Sequence, residues 1–194
     1  MASDAQQTAR SSATGQHQAP ATSACEATGK TEIKIDCAYP ASNDRSTERQ
    51  DAPGILLDRA VITFAPKHES HMQIQLTFTN ASAVAFAASR TVYIAFDDEA
   101  GQNHIRRPLP HVDFQKLVSG EPMTFSDQFL APALQPGRYF VRLWIPDPNP
   151  ALKFNAAHNF LLSNEGMADP SSGLNQIATV FVEKAETPAH PNDH

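Results

Sequence analysis

The sequence predicts an all-β, immunoglobulin-like antiparallel β-sandwich behind a flexible N-terminal segment. Its length of 194 residues suits one domain with tails. The main signal is strict alternation in HMQIQLTFT, where Met72, Ile74, Leu76 and Phe78 are separated by polar residues. This period of two is typical of a strand with one buried face. Pro, Gly, Asn and Asp separate several such segments, which favours a sandwich of short strands.

Seven segments between residues 54 and 184 are predicted to be strands, because they alternate or are rich in β-branched and aromatic residues. In chain order they are LDRAVITF, HMQIQLTFT, RTVYIAFD, MTFSDQFL, GRYFVRLWI, HNFLLSN and QIATVFVE. Two segments stay open. ASAVAFAAS reads as a helical turn or a loop, and HVDFQKLVSG as a short helix or an irregular strand.

The predicted domain boundaries are a flexible segment over 1–53, the sandwich over 54–184 and a tail over 185–194. The first segment is rich in Ala, Ser, Thr, Gln and Asp. Within it, KTEIKIDCAY alternates and predicts a short edge strand or hairpin. Cys25 and Cys37 are the only two cysteines; in an oxidising compartment they could close one disulfide loop, and otherwise they are free thiols.

Composition argues against two classes of partner. A net charge of -6 and a pI of about 5.7 disfavour nucleic acid, which is bound through basic stripes. No apolar run approaches the roughly 20 residues that span a bilayer. The polar start MASDAQQTARSSATGQ resembles that of a mature exported protein, so we expect a secreted or periplasmic protein whose leader is absent from this chain, with a cytosolic protein as the alternative.

The segment PGRYFVRLWIPDPNP carries the candidate ligand-binding residues. Its odd positions from Tyr139 to Ile145 are apolar and are expected to face the core. The even positions alternate arginine with aromatic rings: Arg138, Phe140, Arg142 and Trp144. Such a face suits a sugar ring or a partner protein. The alternative is a strand buried on both faces, with its arginines paired to acids such as Asp127 or Asp147.

Motifs for metal binding and catalysis are weak, and no metal, cofactor or catalytic residue is predicted. KHESH spaces His68 and His71 as His-x-x-His around Glu69, but a polar hairpin loop explains it better. The acids of FDDEAGQNH could hold calcium, yet a solvated turn suffices. The long turn SNEGMADPSSGLNQ contains Glu165 and Asp169, an acid/base pair or a purely structural turn. The NAS at Asn80 is a formal glycosylation sequon expected in a turn.

Three segments together resemble a known family. They are LTFTNASAVAF, LQPGRYFVRLWIPDP and LLSNEGMADPSSGLNQI, in this order within residues 55–183. The pattern resembles a bacterial family of unknown function whose C-terminal β-sandwich domain accompanies glycoside-hydrolase-like barrels. The resemblance implies a non-catalytic, carbohydrate-associated sandwich.

We therefore expect a non-catalytic binding or accessory module whose partner is a polysaccharide or another protein. One alternative is a protein-interaction module, such as an envelope assembly subunit or an enzyme inhibitor. A second, less favoured alternative is a stand-alone glycoside hydrolase. It would need two carboxylates about 5 to 9.5 Å apart in one cleft. The candidate acids for that role are Asp97, Asp98, Glu165 and Asp169.

Overall fold

A computed structural model describes residues 25–29, 31–39, 54–66, 70–100 and 104–184. Within these ranges the chain forms strands and two short 3-10 helices, Phe114–Lys116 and Ala156–His158, and no helix that could span a membrane. The strands are β1 Glu26–Gly29, β2 Ile33–Ala38, β3 Ile55–Phe64, β4 His71–Asn80, β5 Val92–Asp98, β6 His104–Leu109, β7 Pro122–Leu130, β8 Gly137–Trp144, β9 Ala168–Asp169 and β10 Leu174–Val182.

These strands form two sheets. Sheet A has the order β1-β10-β8-β5-β6, with β9 beside β10, and sheet B has the order β2-β3-β4-β7. All neighbouring strands are antiparallel except β1, which runs parallel to β10. The chain leaves sheet B after β4, makes the β5–β6 hairpin in sheet A and returns as β7 beside β4. This Greek-key crossover is that of an immunoglobulin-like sandwich, so the predicted fold class is confirmed.

The core lies between the sheets and is built from the alternation seen in the sequence. The four apolar residues of β4 are buried, and so are Tyr139, Val141 and Leu143 of β8. Phe64 of β3 meets Phe96 of β5 edge to face at 5.7 Å, which joins the two sheets. The predicted inward face of β8 is therefore confirmed.

Three local predictions need correction or resolution. HNFLLSN is not a strand, because the buried side chain of Asn175 binds its backbone: Leu162 N donates to Asn175 Oδ1 at 2.7 Å. β6 was not predicted, since HIRRPL is basic and contains proline. ASAVAFAAS is a loop, and HVDFQKLVSG contains the 3-10 turn that brings Phe114 to 5.0 Å from Phe78.

The N-terminal strands extend the sandwich beyond the predicted boundary at residue 54. β2 is the edge strand of sheet B, as KTEIKIDCAY predicts, and β1 lies at the edge of sheet A. A disulfide joins Cys25, just before β1, to Cys37 in β2, with their Cα atoms 6.0 Å apart. It therefore links the edges of the two sheets covalently. Residues 1–24, 40–53 and the predicted tail over 185–194 lie outside the described residues.

Asn164 holds a break in the β3–β4 ladder. The register of this pair shifts between Leu57 and Arg59. The side chain of Asn164, 107 residues away in sequence, accepts from Leu57 N at 2.8 Å and donates to Leu57 O at 2.9 Å. Both residues are buried, so no water replaces these bonds. Asn164 thus belongs to the architecture rather than to a site.

We expect Asn164→Ala to lower the free energy of unfolding by about 2–4 kcal/mol, because it leaves a buried donor and acceptor of Leu57 without partners. Chemical denaturation followed by circular dichroism measures this. Glu165→Gln, at the exposed neighbouring position, is the control and should stay within about 0.5 kcal/mol of wild type. Equal stabilities for the two variants would contradict the role given to Asn164.

Candidate ligand-binding site

The outer face of sheet A is the face turned away from sheet B, and it carries the predicted ligand-binding residues. The register places Trp144 of β8 opposite Tyr93 of β5, and Arg142 opposite Ala95. Arg106 of β6 lies on the other side of Ala95. Because Ala95 is small, the Arg106 side chain can cross it and reach Trp144 on the far strand, where its guanidinium carbon lies 4.4 Å from the indole centroid.

The charged side chains in the first half of β8 are paired with acids of the same sheet region. Arg138 and Arg142 lie over the ring of Phe140, at 5.0 Å and 4.9 Å from its centroid. Arg138 pairs with Glu99 at 3.2 Å, and Arg142 with Asp97 at 2.9 Å. The suggested pairing of these arginines with Asp127 or Asp147 is therefore wrong. Asp127 pairs instead with His111, and Asp147 with Arg90.

Trp144 ends β8 beneath a second aromatic ring. Its indole is only 4 % exposed, although it lies on the outer face. Phe154 stacks on it with centroids 5.7 Å apart and planes 22° apart, and Tyr93 contacts it at 4.9 Å. Phe154 itself is 79 % exposed. A ligand therefore meets Phe154 before it meets the predicted platform, Trp144.

The loop after β8 fixes the position of Phe154. Its prolines end the strand, since proline cannot donate to a ladder. Arg90 anchors the loop twice: it pairs with Asp147 at 3.3 Å and donates to the carbonyl of His158 at 2.9 Å. Between these anchors, Asn155 N donates to the carbonyl of Leu152 at 2.9 Å and closes a turn. Phe154 thus extends from a braced loop.

Lys153 completes the cluster. Its Nζ donates to the hydroxyl of Tyr93 at 3.2 Å and lies 5.1, 5.5 and 5.9 Å from the ring centroids of Tyr93, Trp144 and Phe154. We call these three rings, with Lys153 and Arg106, the aromatic patch. Sequence reasoning found only Trp144 of the five. Tyr93 comes from β5, Arg106 from β6, and the other two residues from the loop after β8. Only the strand register and the path of that loop bring them together.

A groove lies along the edge strand β6 and shares one lining residue, Arg106, with the patch. Its volume is about 530 Å³, and its lining residues are Ile105, Arg106, Arg107, Pro132 and Ala133. Arg106 belongs to both the groove and the patch. Arg107 is the next residue of β6 and pairs with the core residue Ile94, so it lies on the opposite face of the strand from Arg106, at the edge of the sheet.

The candidate metal ligands that the structure describes form no cluster. His68, Glu69 and Asn103 lie outside the described residues, and His71 is an exposed residue at the start of β4. Asp97 is 2 % exposed and paired with Arg142. In the part of the chain that the structure describes, no three His, Cys, Asp or Glu side chains form a group able to hold a metal ion.

The candidate acids form two groups at different ends of sheet A: Asp97 and Asp98 in β5, and Glu165 and Asp169 in the turn that contains β9. In the strand register, Asp98 lies opposite Tyr139, near the start of β8. Asp169 is in β9, which pairs with β10 where β10 lies opposite Leu143, near the end of β8. Asp169 accepts hydrogen bonds from the hydroxyls of Ser171 and Ser172, which lower the pKa of its carboxyl group. These bonds are those of a structural turn.

The side chain of Asn80, in the sequon, is buried and hydrogen-bonded within the fold. Asn80 is 1 % exposed. Its Oδ1 accepts from Ser82 N at 3.1 Å, and its Nδ2 donates to the carbonyl of Val84 at 2.9 Å. The side chain therefore organises the turn after β4, and its amide nitrogen is not presented to solvent.

Comparison with known proteins does not add a family. No protein-family profile matches the chain, and no curated protein matches it. The resemblance to the barrel-associated family stays a prediction. Function is inferred below from the geometry of the outer face of sheet A.

Removing the Phe154 ring should uncover the only tryptophan of the chain. We expect wild-type Trp144 to emit at short wavelength, because its indole is buried, and Phe154→Ala to shift this emission to the red and increase acrylamide quenching. The matched control is Leu130→Ala, which removes another exposed apolar side chain, 59 % exposed on β7. An unchanged spectrum in Phe154→Ala would show that Phe154 does not cover the indole.

Proposed function

We propose that this chain is a non-catalytic binding module of an exported protein and that it attaches to extracellular polysaccharide through the aromatic patch. The observation that carries the proposal is the Phe154 ring. It is the most exposed of the three exposed large apolar side chains in the described residues, and it is stacked on Trp144. An exposed ring held by a buried one is arranged to receive a flat partner.

Physical chemistry favours a sugar on such a ring. A pyranose has an apolar C–H face that can lie on an aromatic ring, and its hydroxyls can accept from donors at the ring edge. Lys153 Nζ lies 5.9 Å from the Phe154 centroid, and the Arg106 guanidinium lies over the adjoining Trp144 ring, so both supply donors near the exposed ring. Because Trp144 and the braced loop already hold Phe154, little side-chain freedom is lost on binding.

Further observations support the remaining parts of the proposal. The disulfide between Cys25 and Cys37 supports export, since disulfides persist in oxidising compartments. The non-catalytic role has two supports. The acids of β5 are separated along β8 from those of the β9 turn. Within that turn, Asp169 is held by the hydroxyls of Ser171 and Ser172.

A protein-interaction module is the second candidate, and one observation favours it. Phe154, Trp144 and Arg106 form a compact group of the residue types that dominate protein interfaces. Such a partner would cover Phe154 as well. The two candidates differ in ligand, so a defined polysaccharide panel separates them.

We expect Phe154→Ala to weaken polysaccharide binding by at least about tenfold, which corresponds to about 1.4 kcal/mol. Isothermal titration calorimetry should be run with soluble glucans, xylans, galactans and uronans. Leu130→Ala removes a comparable exposed apolar side chain from sheet B and should bind as wild type does. If no polymer binds the wild-type protein, the polysaccharide proposal fails. Equal loss in both variants would place the site elsewhere.

A further inference from the structure

We infer that the polysaccharide is acidic: a uronate-containing chain whose carboxylates bind Arg106 and Lys153 at the aromatic patch and Arg107 in the adjoining groove. This inference rests on the proposed function and names the class of its ligand. It follows from the charges of sheet A and of the loop that carries Phe154.

Most of the charges in this region are already balanced. Three acids each have an arginine partner; the pairs are Asp97 with Arg142, Glu99 with Arg138, and Asp147 with Arg90, at 2.9, 3.2 and 3.3 Å. Asp97 and the Arg142 side chain are largely buried, so this pair is part of the sheet. In the half of the face around Phe140, the charged side chains are therefore already paired with one another and not with a ligand.

Among the described residues of β5, β6, β8 and the loop after β8, three cations remain without an acidic partner. Arg106 contacts the Trp144 ring, and its buried Nε has no hydrogen-bond partner within the described part of the chain. Arg107 donates to the backbone carbonyl of Arg106 at 3.2 Å. Lys153 donates to the hydroxyl of Tyr93. Arg106 and Lys153 lie at the patch on the outer face of sheet A, and Arg107 lies in the groove at the sheet edge, so both places carry unpaired positive charge.

This unpaired positive charge is unusual for a chain with a net charge of -6. A general excess of basic residues therefore cannot explain it. Unlike Arg138 and Arg142, Lys153 and Arg106 lie over aromatic rings without an acidic partner among the described residues. Partly desolvated cations of this kind attract an anion more strongly than solvated ones do.

The ligand that complements the surface must carry both a flat apolar face and a negative charge. Each residue of a uronan has both. Lys153 Nζ is 5.9 Å from the Phe154 centroid, so a uronate stacked on that ring brings its carboxylate near the ammonium group. The groove along β6 then receives the next part of the chain, with Arg107 in its lining. Arginine is suited to this role because its guanidinium binds a carboxylate through two parallel hydrogen bonds.

The test compares polymers that differ only in charge. Polygalacturonate, alginate and hyaluronan are each titrated against their carboxyl-reduced forms, in which every carboxylate has become a neutral hydroxymethyl group. We expect at least one acidic polymer to bind about tenfold or more tightly than its reduced form at low salt. At 1 M salt the difference should disappear, because the Debye length falls to about 3 Å.

Charge-neutralising variants locate the interaction. Arg106→Gln and Lys153→Gln should each weaken binding of the acidic polymer about threefold to tenfold, and Arg106→Lys should recover only part of the affinity. Their matched controls are Arg59→Gln and Lys116→Gln, which remove the same charge at exposed positions on β3 and after β6. The controls should bind as wild type does. Circular dichroism and thermal melts verify that every variant is folded.

The outcomes distinguish this inference from the proposed function. Equal binding of acidic and reduced polymers overturns the acidic ligand and leaves the polysaccharide module standing. No binding by any polymer removes both. Equal losses in the Arg59 and Lys116 variants overturn the site, since binding would then follow net charge. Tighter binding of polyglutamate than of every uronan, with the same dependence on Arg106 and Lys153, would replace the polysaccharide with an acidic protein partner.

Discussion

The position of β8 in the middle of sheet A is the constraint on which the rest of the face depends. It is hydrogen-bonded to β5 on one side and β10 on the other, so neither of its edges is free. Its inner residues enter the core, but its outer residues include Phe140 and Trp144, and large rings are costly to leave in water. Neighbouring side chains must cover them, and the two halves of the strand achieve this differently.

The first half is covered by charge pairs. Arginines lie over Phe140 and are themselves neutralised by acids from β5 and the turn after it, which leaves a closed network. The second half is covered by the loop that folds back over Trp144 and by Arg106 from across the sheet. That cover is itself aromatic and cationic. The Phe154 ring covers the indole of Trp144 and is itself exposed to solvent. This exposed ring forms the surface to which we assign binding.

Much of the fold was predictable from local pattern, because burial on one face imposes a period of two. This holds for β4, whose apolar residues alternate without exception, and for the inward face of β8. β6 escaped prediction because edge strands tolerate charge and proline, which exclude further pairing. HNFLLSN was wrongly predicted to be a strand. Its apolar residues enter the core region, but its backbone is bound by the side chain of Asn175 and does not join a ladder.

The site was predictable only in part, for a geometric reason. Trp144 is conspicuous because it is the single tryptophan of the chain and lies in a segment where arginine and aromatic residues alternate. Phe154 lies ten positions later, and nothing in ALKFNAAH indicates that the loop returns over the strand. Arg106 reaches the indole only because Ala95 lies between them in the sheet register. Such relations depend on strand order and loop path, which a single sequence does not specify.

The most direct measurement is a chemical-shift map of the ¹⁵N-labelled protein, including arginine and tryptophan side chains, during titration with a uronan oligosaccharide. Our account predicts that the perturbed signals cluster at Phe154, Lys153, the Trp144 indole and Arg106, and continue into the groove along β6. The polar outer face of sheet B should stay unperturbed. Shifts confined to sheet B, or to the balanced half of sheet A around Phe140, would contradict the account.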